Sequence, residues 1–480
     1  MAVAFHGSFL CSPLKQIPGT TSFTLGGAWQ WRQMSEMGCC VPDPFLGLSL
    51  GLRIGTEFGE QYPVGVLSVR CASKSATRVL QEVVSVGGTN GAKLLVRRSR
   101  GLSRVAQMEV LEELVQRGQC ELVLPMYEAV RKGARYKWDA NLHARIVAMV
   151  SKGKQTFADS SHILEPLEIL SPKQRAELEC ALIESYISQD LVNQAYEAFH
   201  RLCELPLAKS RSLGYRALVR AYSAAEKPVE AEKTLMELKS LGCPPTVDDY
   251  KALLLGFGKL GMLTDMERIA ADCRKTGMKL DTAGFNMMIS AYCYAGMLER
   301  MVEIYLQMEE AGIRPSLVSW NALTKACPTL VAVGVEGTGA LASPQTLCNR
   351  LQNERASSEE LNIVQFLLAQ GLPSESVTFS SDIWQLDLHK MSVGTASIVL
   401  PLWLSSLRDR FQRNDGCPVE VRLVTGWGKH SKSDFKAPVR KMIMTELLAL
   451  KSPFKADSEN RGAFITRGPS LKQWLSTLPS

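Results

Sequence analysis

Two side chains near the C-terminus have the types and the spacing of an acid–base pair. Asp387 and His389 lie two residues apart in the run LDLH, at the end of a predicted strand. Because side chains alternate across a strand, the two share one face. A carboxylate beside an imidazole orients the ring and raises its basicity, which predicts proton transfer with Asp387 and His389 as catalytic residues. The same residues also fit a loop cap and a polar side chain without catalytic work, and the sequence leaves these alternatives open.

A glycine-rich run follows 36 residues after His389 and has the composition of an anion-binding loop. The run TGWGKHS occupies residues 425–431. Glycines let backbone N–H groups approach a phosphate closely, and a lysine adds positive charge. We therefore expect nucleic-acid contacts from the residues of this loop, which are Gly426, Trp427, Gly428, Lys429 and His430.

Alternating strands and helices must position these two motifs. The predicted elements are strands at 383–389, 419–424 and 462–466 and helices at 395–411 and 438–450. This alternation predicts a small α/β sandwich over residues 381–480. The paired motifs LDLH and TGWGKHS resemble those of the Smr (small MutS-related) domain, with the resemblance running from about Ile383 to Trp474. It implies nucleic-acid binding and, in several family members, endonucleolytic cleavage with both motifs at the active surface.

The middle of the chain repeats with a period of 35 residues. Aromatic residues recur at this spacing, and so do glycines that end each unit: Tyr215, Tyr250, Phe285 and Trp320, with Gly242, Gly277 and Gly312. Within one unit, apolar residues fall at i, i+3, i+4 and i+7 from Phe285, and a second helical pattern runs from Leu298 to Met308 after Gly296. The period predicts an all-helical solenoid of antiparallel hairpins, which stack because one hairpin buries too little surface alone.

This repeat resembles the pentatricopeptide repeat over residues 104–330, most clearly at 212–246, 247–281 and 282–316. A tetratricopeptide array is the rival, but it has a period of about 34 residues and a different signature. The resemblance implies that each repeat reads one RNA base with the residue after the aromatic and the last residue of the unit. Those residues are Arg216 with Thr246, Lys251 with Asp281, Asn286 with Ser316, and Asn321, which opens a truncated unit.

These positions differ in the chemistry that they offer. The Asn286/Ser316 pair resembles a combination associated with pyrimidines, and an amide offers both a donor and an acceptor to a base edge. Arg216 and Lys251 suit phosphate oxygens better. All of them also fit solvated helix positions that contact no ligand.

The remaining segments indicate an imported protein with no membrane segment. Residues 1–35 contain no Asp or Glu and several Ser and Thr, so residues 1–72 are predicted to be a transit peptide for the chloroplast, with the mitochondrion as the alternative. Residues 73–103 are predicted to form a basic N-terminal extension, and residues 331–380 a linker with one helix, in which glycines make a flexible connector. No apolar run approaches the roughly 20 residues of a membrane-spanning helix. The 13 cysteines include no C-x-x-C pair, which disfavours a zinc site.

Charge and motifs together favour a nucleic-acid partner. The net charge is +7, and residues 380–480 alone carry 15 Lys and Arg against 9 Asp and Glu. The first hypothesis is a sequence-selective organellar protein that binds single-stranded RNA and acts in RNA processing, with an endoribonuclease at its C-terminus. The alternative is a non-catalytic RNA-binding factor for transcript stabilisation or translation, or a DNA- or nucleoid-associated factor. The sequence leaves a divalent metal cofactor and partner proteins of organelle gene expression open.

Overall fold

The described part of the chain begins with paired helices. The computed structural model describes residues 74–131, 138–152, 170–413, 415–426 and 437–478, so the predicted transit peptide lies outside the described residues. The helices before the regular repeats are α1 Lys74–Val86, α2 Gly88–Ser99, α3 Arg104–Gln116, α4 Cys120–Arg131, α5 Ala140–Lys152, α6 Pro172–Ser188 and α7 Val192–Glu204. The predicted basic extension at 73–103 is thus a helix pair, which buries Leu80, Val83 and Leu95 against α3 and α4.

Three regular hairpins follow at the predicted positions. Their helices are α8 Ser210–Ala224, α9 Pro228–Ser240, α10 Val247–Lys259, α11 Leu263–Lys275, α12 Thr282–Tyr294 and α13 Leu298–Glu310. Gly242, Gly277 and Gly312 end the second helices with φ of 72°, 79° and 73°, a left-handed conformation that residues with a Cβ rarely adopt. The 35-residue period is therefore fixed by the turn that closes each unit.

The first helices of successive units stack on one another. Helices α8, α10 and α12 pack in a continuous row, and α14 Leu317–Lys325 continues it. The repeating aromatics Tyr250, Phe285 and Trp320 are buried in this stack. Adjacent hairpins thereby share one hydrophobic core, as a solenoid requires.

The segment predicted as a linker is helical and packed. It holds α15 Pro328–Glu336, a short 3₁₀ turn at Ala340–Ala342, α16 Pro344–Asn353 and α17 Ser358–Gln370. Gly337 and Gly339 have φ of 65° and 81°, and a Cβ on Gly337 would lie 2.2 Å from Cγ2 of Thr445. The prediction of a flexible connector is wrong because these glycines serve a sharp turn and a close helix contact. Burial raises the pKa of Glu446, which accepts hydrogen bonds from the N–H groups of Gly339 and Leu341.

The chain ends in a five-stranded sheet with helices. Its elements are β1 Val377–Phe379, β2 Ile383–Asp387, α18 Val393–Gln412, β3 Glu420–Val424, α19 Pro438–Ala449, β4 Lys455–Ala456, β5 Ala463–Arg467 and α20 Gly468–Leu475. The strand order is β1-β2-β3-β5-β4. Strands β2 and β3 are parallel and the other neighbours are antiparallel, so Asp387 lies opposite Val424 where both parallel strands end.

The sheet buries one face beneath the helices. Trp384 and Leu386 of β2 and Val421 and Leu423 of β3 are buried, whereas the alternate residues Gln385, Arg422 and their neighbours are partly exposed. Helix α18 carries the wholly buried Trp403 and also packs on α14 and α15. The sheet is thus joined to the end of the repeats through α18. None of the helices in the described ranges is long and apolar enough to cross a membrane.

Candidate nucleic-acid interface

The stacking of first helices brings together the two residues predicted to read each base. Positions 216, 251, 286 and 321 lie at the same point of α8, α10, α12 and α14, and we call these four positions the reading row. The last residue of each unit precedes the next first helix, and both Thr246 and Asp281 cap it with their side chains. Lys251 and Asn286 therefore contact the partners that the sequence predicts for them, Asp281 and Ser316, across one helix contact.

The second repeat closes its pair with an ion pair. The Lys251 ammonium lies 2.8 Å from Oδ2 of Asp281 and 2.7 Å from Oδ1 of Asp248. Burial alone lowers the pKa of Lys251, but these carboxylates outweigh it and raise the pKa above its ordinary value. Burial raises the pKa of Asp281, and Lys251 with the Gly284 N–H outweighs this and lowers it. Lys251, which the sequence predicts to contact phosphate, is therefore already neutralised by two carboxylates.

Arg216 is also committed to the next repeat. Its Nε lies 3.3 Å from Oδ2 of Asp249, and its Nη2 donates to the carbonyl of Pro244 at 3.1 Å. The buried Asp249 carboxylate also accepts from the backbone N–H of Thr246 at 2.7 Å and from its hydroxyl at 2.8 Å. Arg216 and Thr246 therefore share one carboxylate, which fastens the start of α10 to α8.

Asn286 is held by the start of the following helix. Its Oδ1 accepts from the Ser319 hydroxyl at 2.6 Å, and its Nδ2 donates to the Ser316 hydroxyl at 3.4 Å. Only 6% of Asn286 is exposed. Its amide orientation is therefore preset, which reduces the entropy lost when a base edge binds nearby.

Asn321 has partners of a different kind. Its Nδ2 donates to the Lys390 carbonyl at 2.9 Å, and its Oδ1 accepts from the Ser392 N–H and the Thr395 hydroxyl, both at 2.8 Å. Thr324, one turn later, lies 3.0 Å from the Ser392 hydroxyl and 2.9 Å from that of Thr395. The residue predicted to open a truncated reading unit is thus bonded to the segment that follows His389.

Asp387 and His389 meet where β2 ends. Oδ1 of Asp387 accepts from Nδ1 of His389 at 2.6 Å and from the His389 backbone N–H at 2.9 Å. The pairing differs from the expected strand alternation, because His389 lies past the strand in a turn closed by the aspartate. A proton on Nδ1 leaves Nε2 as the acceptor, and nearly half of the His389 side chain is exposed. The pair has the geometry of an oriented, solvent-accessible base.

The glycine-rich run begins beside His389. A Cβ on Gly426, which has φ of 77°, would lie 3.5 Å from Cβ of His389. The expectation that the Gly426 N–H faces a phosphate needs correction, because it donates to the Gly462 carbonyl at 3.2 Å, as the Thr425 N–H does at 2.8 Å. The other predicted contacts, Trp427, Gly428, Lys429 and His430, lie outside the described residues.

Sequence reasoning missed the polar residues that support His389. Thr324, Ser392 and Thr395 carry the contacts with Asn321, and Ser392 caps α18 by accepting from the Thr395 N–H. A Ser three residues before a Thr at the start of a helix is a capping signal, but it does not identify a partner about 70 residues away. No group of three or more His, Cys, Asp and Glu side chains in the described ranges could hold a metal ion.

Comparisons with known proteins concern mainly the repeats. Residues 212–260 and 268–329 match the family model described as the pentatricopeptide repeat domain. A pentatricopeptide repeat-containing protein of Arabidopsis thaliana is 26% identical over 361 residues, covering 73% of this chain and 70% of the relative. The chloroplastic pentatricopeptide repeat-containing protein ATP4 of Zea mays is 25% identical, covering 56% of this chain and only 40% of the relative. The crystal structure of PPR10 from maize aligns with 79% of this chain and 62% of its own, at 11% identity and a TM-score of 0.34.

Proposed function

We propose that the protein is a chloroplast protein that binds single-stranded RNA along the reading row, on the premise that residues 212–260 and 268–329 match the pentatricopeptide repeat domain. The observation that carries the proposal is the side-by-side placement of two row residues and their predicted partners at successive helix contacts. Lys251 touches Asp281 and Asn286 touches Ser316, each pair 30 residues apart in sequence. A repeated pair of polar groups at a fixed step suits a polymer of regularly spaced bases.

The contacts within each pair predict unequal roles. Asn286 and Ser316 present neutral groups that can exchange hydrogen bonds with a base edge. Lys251 and Arg216 are paired with carboxylates, so a phosphate must compete with Asp281 or Asp249 for them. We therefore assign base selection mainly to Asn286/Ser316 and weaker contacts to the other two pairs.

A binding assay with matched RNAs tests the proposal. RNAs selected from a random pool are measured against wild-type protein and Asn286→Ala, with a single base changed in turn. Loss of discrimination at one position is expected, by about 1–3 kcal/mol for each pair of hydrogen bonds to a base edge. Arg268→Gln on α11 is the control, because it removes an ion pair with Glu232 away from the row. Failure of wild-type protein to enrich any RNA contradicts the proposal.

We further propose that residues 383–474 form an Smr domain with endoribonuclease activity. The support is the Asp387–His389 pair at the ends of two parallel strands, with Gly426 at its side. As a hydroxyl attacks the phosphorus, Nε2 of His389 would accept its proton, while Asp387 holds the ring and stabilises the imidazolium that forms. The P–O bond to the leaving ribose oxygen breaks in the same step, and that oxygen takes up a proton from solvent. A C-terminal domain that only binds RNA is the competing role. Incubation of labelled RNA with wild-type protein, with and without divalent ions, decides between them.

The proposed chloroplast location rests on the composition of residues 1–72 and on the chloroplastic relative. A fluorescent fusion of residues 1–75 should enter chloroplasts. A matched fusion in which acidic residues replace Lys15 and Arg32 should stay in the cytosol, because transit peptides are poor in acidic residues. A wild-type fusion in mitochondria supports the alternative destination.

A further inference from the structure

We infer that Asn321 is a positioning residue, which fixes the Asp387–His389 pair at the end of the reading row, one repeat step beyond Asn286. The inference rests on the proposed RNA-binding function and adds to it a register between the repeats and the C-terminal domain. RNA that leaves the Asn286/Ser316 pair would meet the segment 388–392 next, at the place where a further repeat would present a base reader.

Asn321 occupies the fourth position of the reading row. It follows Asn286 by the same 35 residues that separate the earlier row positions, and α14 stacks on α12 as α12 stacks on α10. Its amide nevertheless makes three hydrogen bonds to the C-terminal domain, with the Lys390 carbonyl, the Ser392 N–H and the Thr395 hydroxyl. At the fourth position of the row, the side chain of Asn321 therefore bonds the backbone that flanks His389.

The contact between Asn321 and the C-terminal domain is buried and rigid. Asn321 is 8% exposed, and Thr324 and Thr395 are wholly buried. A Cβ on Gly394 would lie 2.9 Å from Cβ of Thr324, so α14 and α18 touch without intervening solvent. A fully satisfied buried polar network specifies one arrangement, because any shift leaves a donor or an acceptor unpaired.

The segment directly after His389 has an unusual backbone conformation. Lys390 has φ of 73°, which costs free energy in a residue with a side chain and persists only where the surroundings impose it. Asn321 bonds the carbonyl of Lys390 and the N–H of Ser392, so it holds the chain directly after His389. From the other side, Leu388 donates to the Val424 carbonyl at 2.7 Å. His389 is therefore held between the sheet and the last repeat helix.

Hydrogen exchange of the full-length protein without RNA tests the positioning role. Asn321→Ala should speed exchange of the amides in 388–393 by about tenfold or more, because it removes three buried hydrogen bonds. Asn286→Ala is the matched control, because Asn286 is the same residue type at the same position within its repeat and is similarly buried. It should leave the exchange of the amides in 388–393 unchanged. Equal exchange of this segment in wild type and Asn321→Ala overturns the inference.

Crosslinking tests the register. A 20-nucleotide RNA selected from a random pool carries one 4-thiouridine at successive positions, and crosslinked peptides are identified. The nucleotide that crosslinks to 388–392 should lie within one or two nucleotides of the one that crosslinks near Asn286. In Asn321→Ala the crosslinks near Asn286 should persist, while those to 388–392 spread over several nucleotides. A general loss of structure would change both sets of crosslinks.

Each remaining outcome has a defined meaning. Crosslinks near Asn286 without any to 388–392 overturn the register. If no RNA can be selected, the proposed function fails, while the exchange result still decides the positioning role. Should Asn321→Ala fail to fold, Thr324→Val replaces it, because it removes the hydroxyl that meets Ser392 and Thr395 at nearly constant volume. The same exchange and crosslinking outcomes then apply.

Discussion

Asn286 and Asn321 are the same residue at the same position of successive repeats, yet they contact different parts of the molecule. The amide of Asn286 bonds Ser316 and Ser319, which begin the next repeat helix. The amide of Asn321 bonds Lys390, Ser392 and Thr395, which belong to the C-terminal domain. The repeat period decides where a side chain lies, and whatever packs against that place decides what the side chain does.

These contacts divide the molecule into a region that we propose to hold RNA and a region that we propose to react with it. In the repeats, polar groups lie in pairs that are satisfied within the protein, and the proposed function has them exchange these hydrogen bonds for a base edge. Beyond α14, Asp387 satisfies one nitrogen of His389 and leaves the other available. The following four predictions test this division, beginning with the largest effect.

Loss of the acid–base pair should abolish cleavage and preserve binding. His389→Ala and Asp387→Ala should each lower the cleavage rate by about 10²- to 10⁴-fold, the usual contribution of a general acid or base. Affinity for RNA should stay within about twofold, because phosphate contacts are spread over many residues. Rates and affinities are measured side by side, with the exposed His200→Ala as control. If His389→Ala cleaves like wild type, or wild type cleaves nothing with any divalent ion, the C-terminal domain only binds.

Adding a methyl group between the two regions should cost stability, whereas the same change inside the repeats should not. Gly394→Ala meets Cβ and the carbonyl oxygen of Thr324 at 2.9 and 3.1 Å. We expect a loss of about 1–2 kcal/mol after the helix-propensity gain of about 1 kcal/mol. Gly256→Ala meets Cβ of Pro228 at 3.1 Å and Cα and Cβ of Ser223 at 3.3 Å, distances longer than those at Gly394 that shifts of a few tenths of an ångström relieve. Denaturant unfolding compares the two, and equal losses would contradict the special character of the α14–α18 contact.

The salt dependence of RNA binding should separate paired from exposed lysines. Lys390 is exposed beside His389, whereas Lys251 is neutralised by Asp248 and Asp281. Lys390→Gln should reduce the slope of log affinity against log salt by about 0.7, the value for one phosphate of a single strand. Lys251→Gln should reduce it by less than half of that. The reverse order would mean that RNA displaces the carboxylates from Lys251 and bypasses the C-terminal domain.

Lowering the pH should remove the stability contributed by the charged Lys251/Asp281 pair and leave that of the neutral Asn286/Ser316 pair. The pKa of Asp281 is lowered in the folded chain, so its stabilisation is present above the unfolded value of about 4 and is lost as pH falls through the folded value. The pKa of Lys251 is raised, so its contribution fails only at strongly alkaline pH. The double change Lys251→Asn with Asp281→Ser copies the Asn286/Ser316 pair and should cost about 0.5–1 kcal/mol near neutral pH. Thermal melts should show this difference shrinking below pH about 4.

The sequence predicted the elements with long, strongly periodic patterns. The 35-residue period located α8 to α13, and the alternation of strand and helix located β2, α18, β3, α19 and β5 to within a few residues. Strands β1 and β4 were missed because two or three residues show no measurable alternation. The glycines after α15 were misinterpreted because glycine composition alone does not separate a flexible linker from a tight turn.

The candidate site was predicted in its members but not in its contacts. Adjacent residues such as Asp387 and His389 can be paired from local spacing. The bonds of Asn321 join residues 69 to 74 positions apart, and those of Gly462 to Thr425 and Gly426 span 36 or more. Such partners depend on how α18 docks, and no local pattern encodes that. The predicted roles of the reading row and of the loop after Gly426 remain predictions.

The long sequence separation of the Asn321 contacts has a consequence for synthesis on the ribosome. The repeats make mostly contacts between neighbouring helices, so each hairpin can fold against the preceding one as soon as it has left the exit tunnel. Helix α14 cannot complete its contacts, because the amide of Asn321 stays without its partners until the chain has grown through Thr395 and α18 has formed. The nascent protein therefore passes through a stage with a finished repeat array and an open last helix. A chain that stops before α18 would keep that helix exposed, with the apolar side chains of α15 beside it, and would be a substrate for chaperones or proteases.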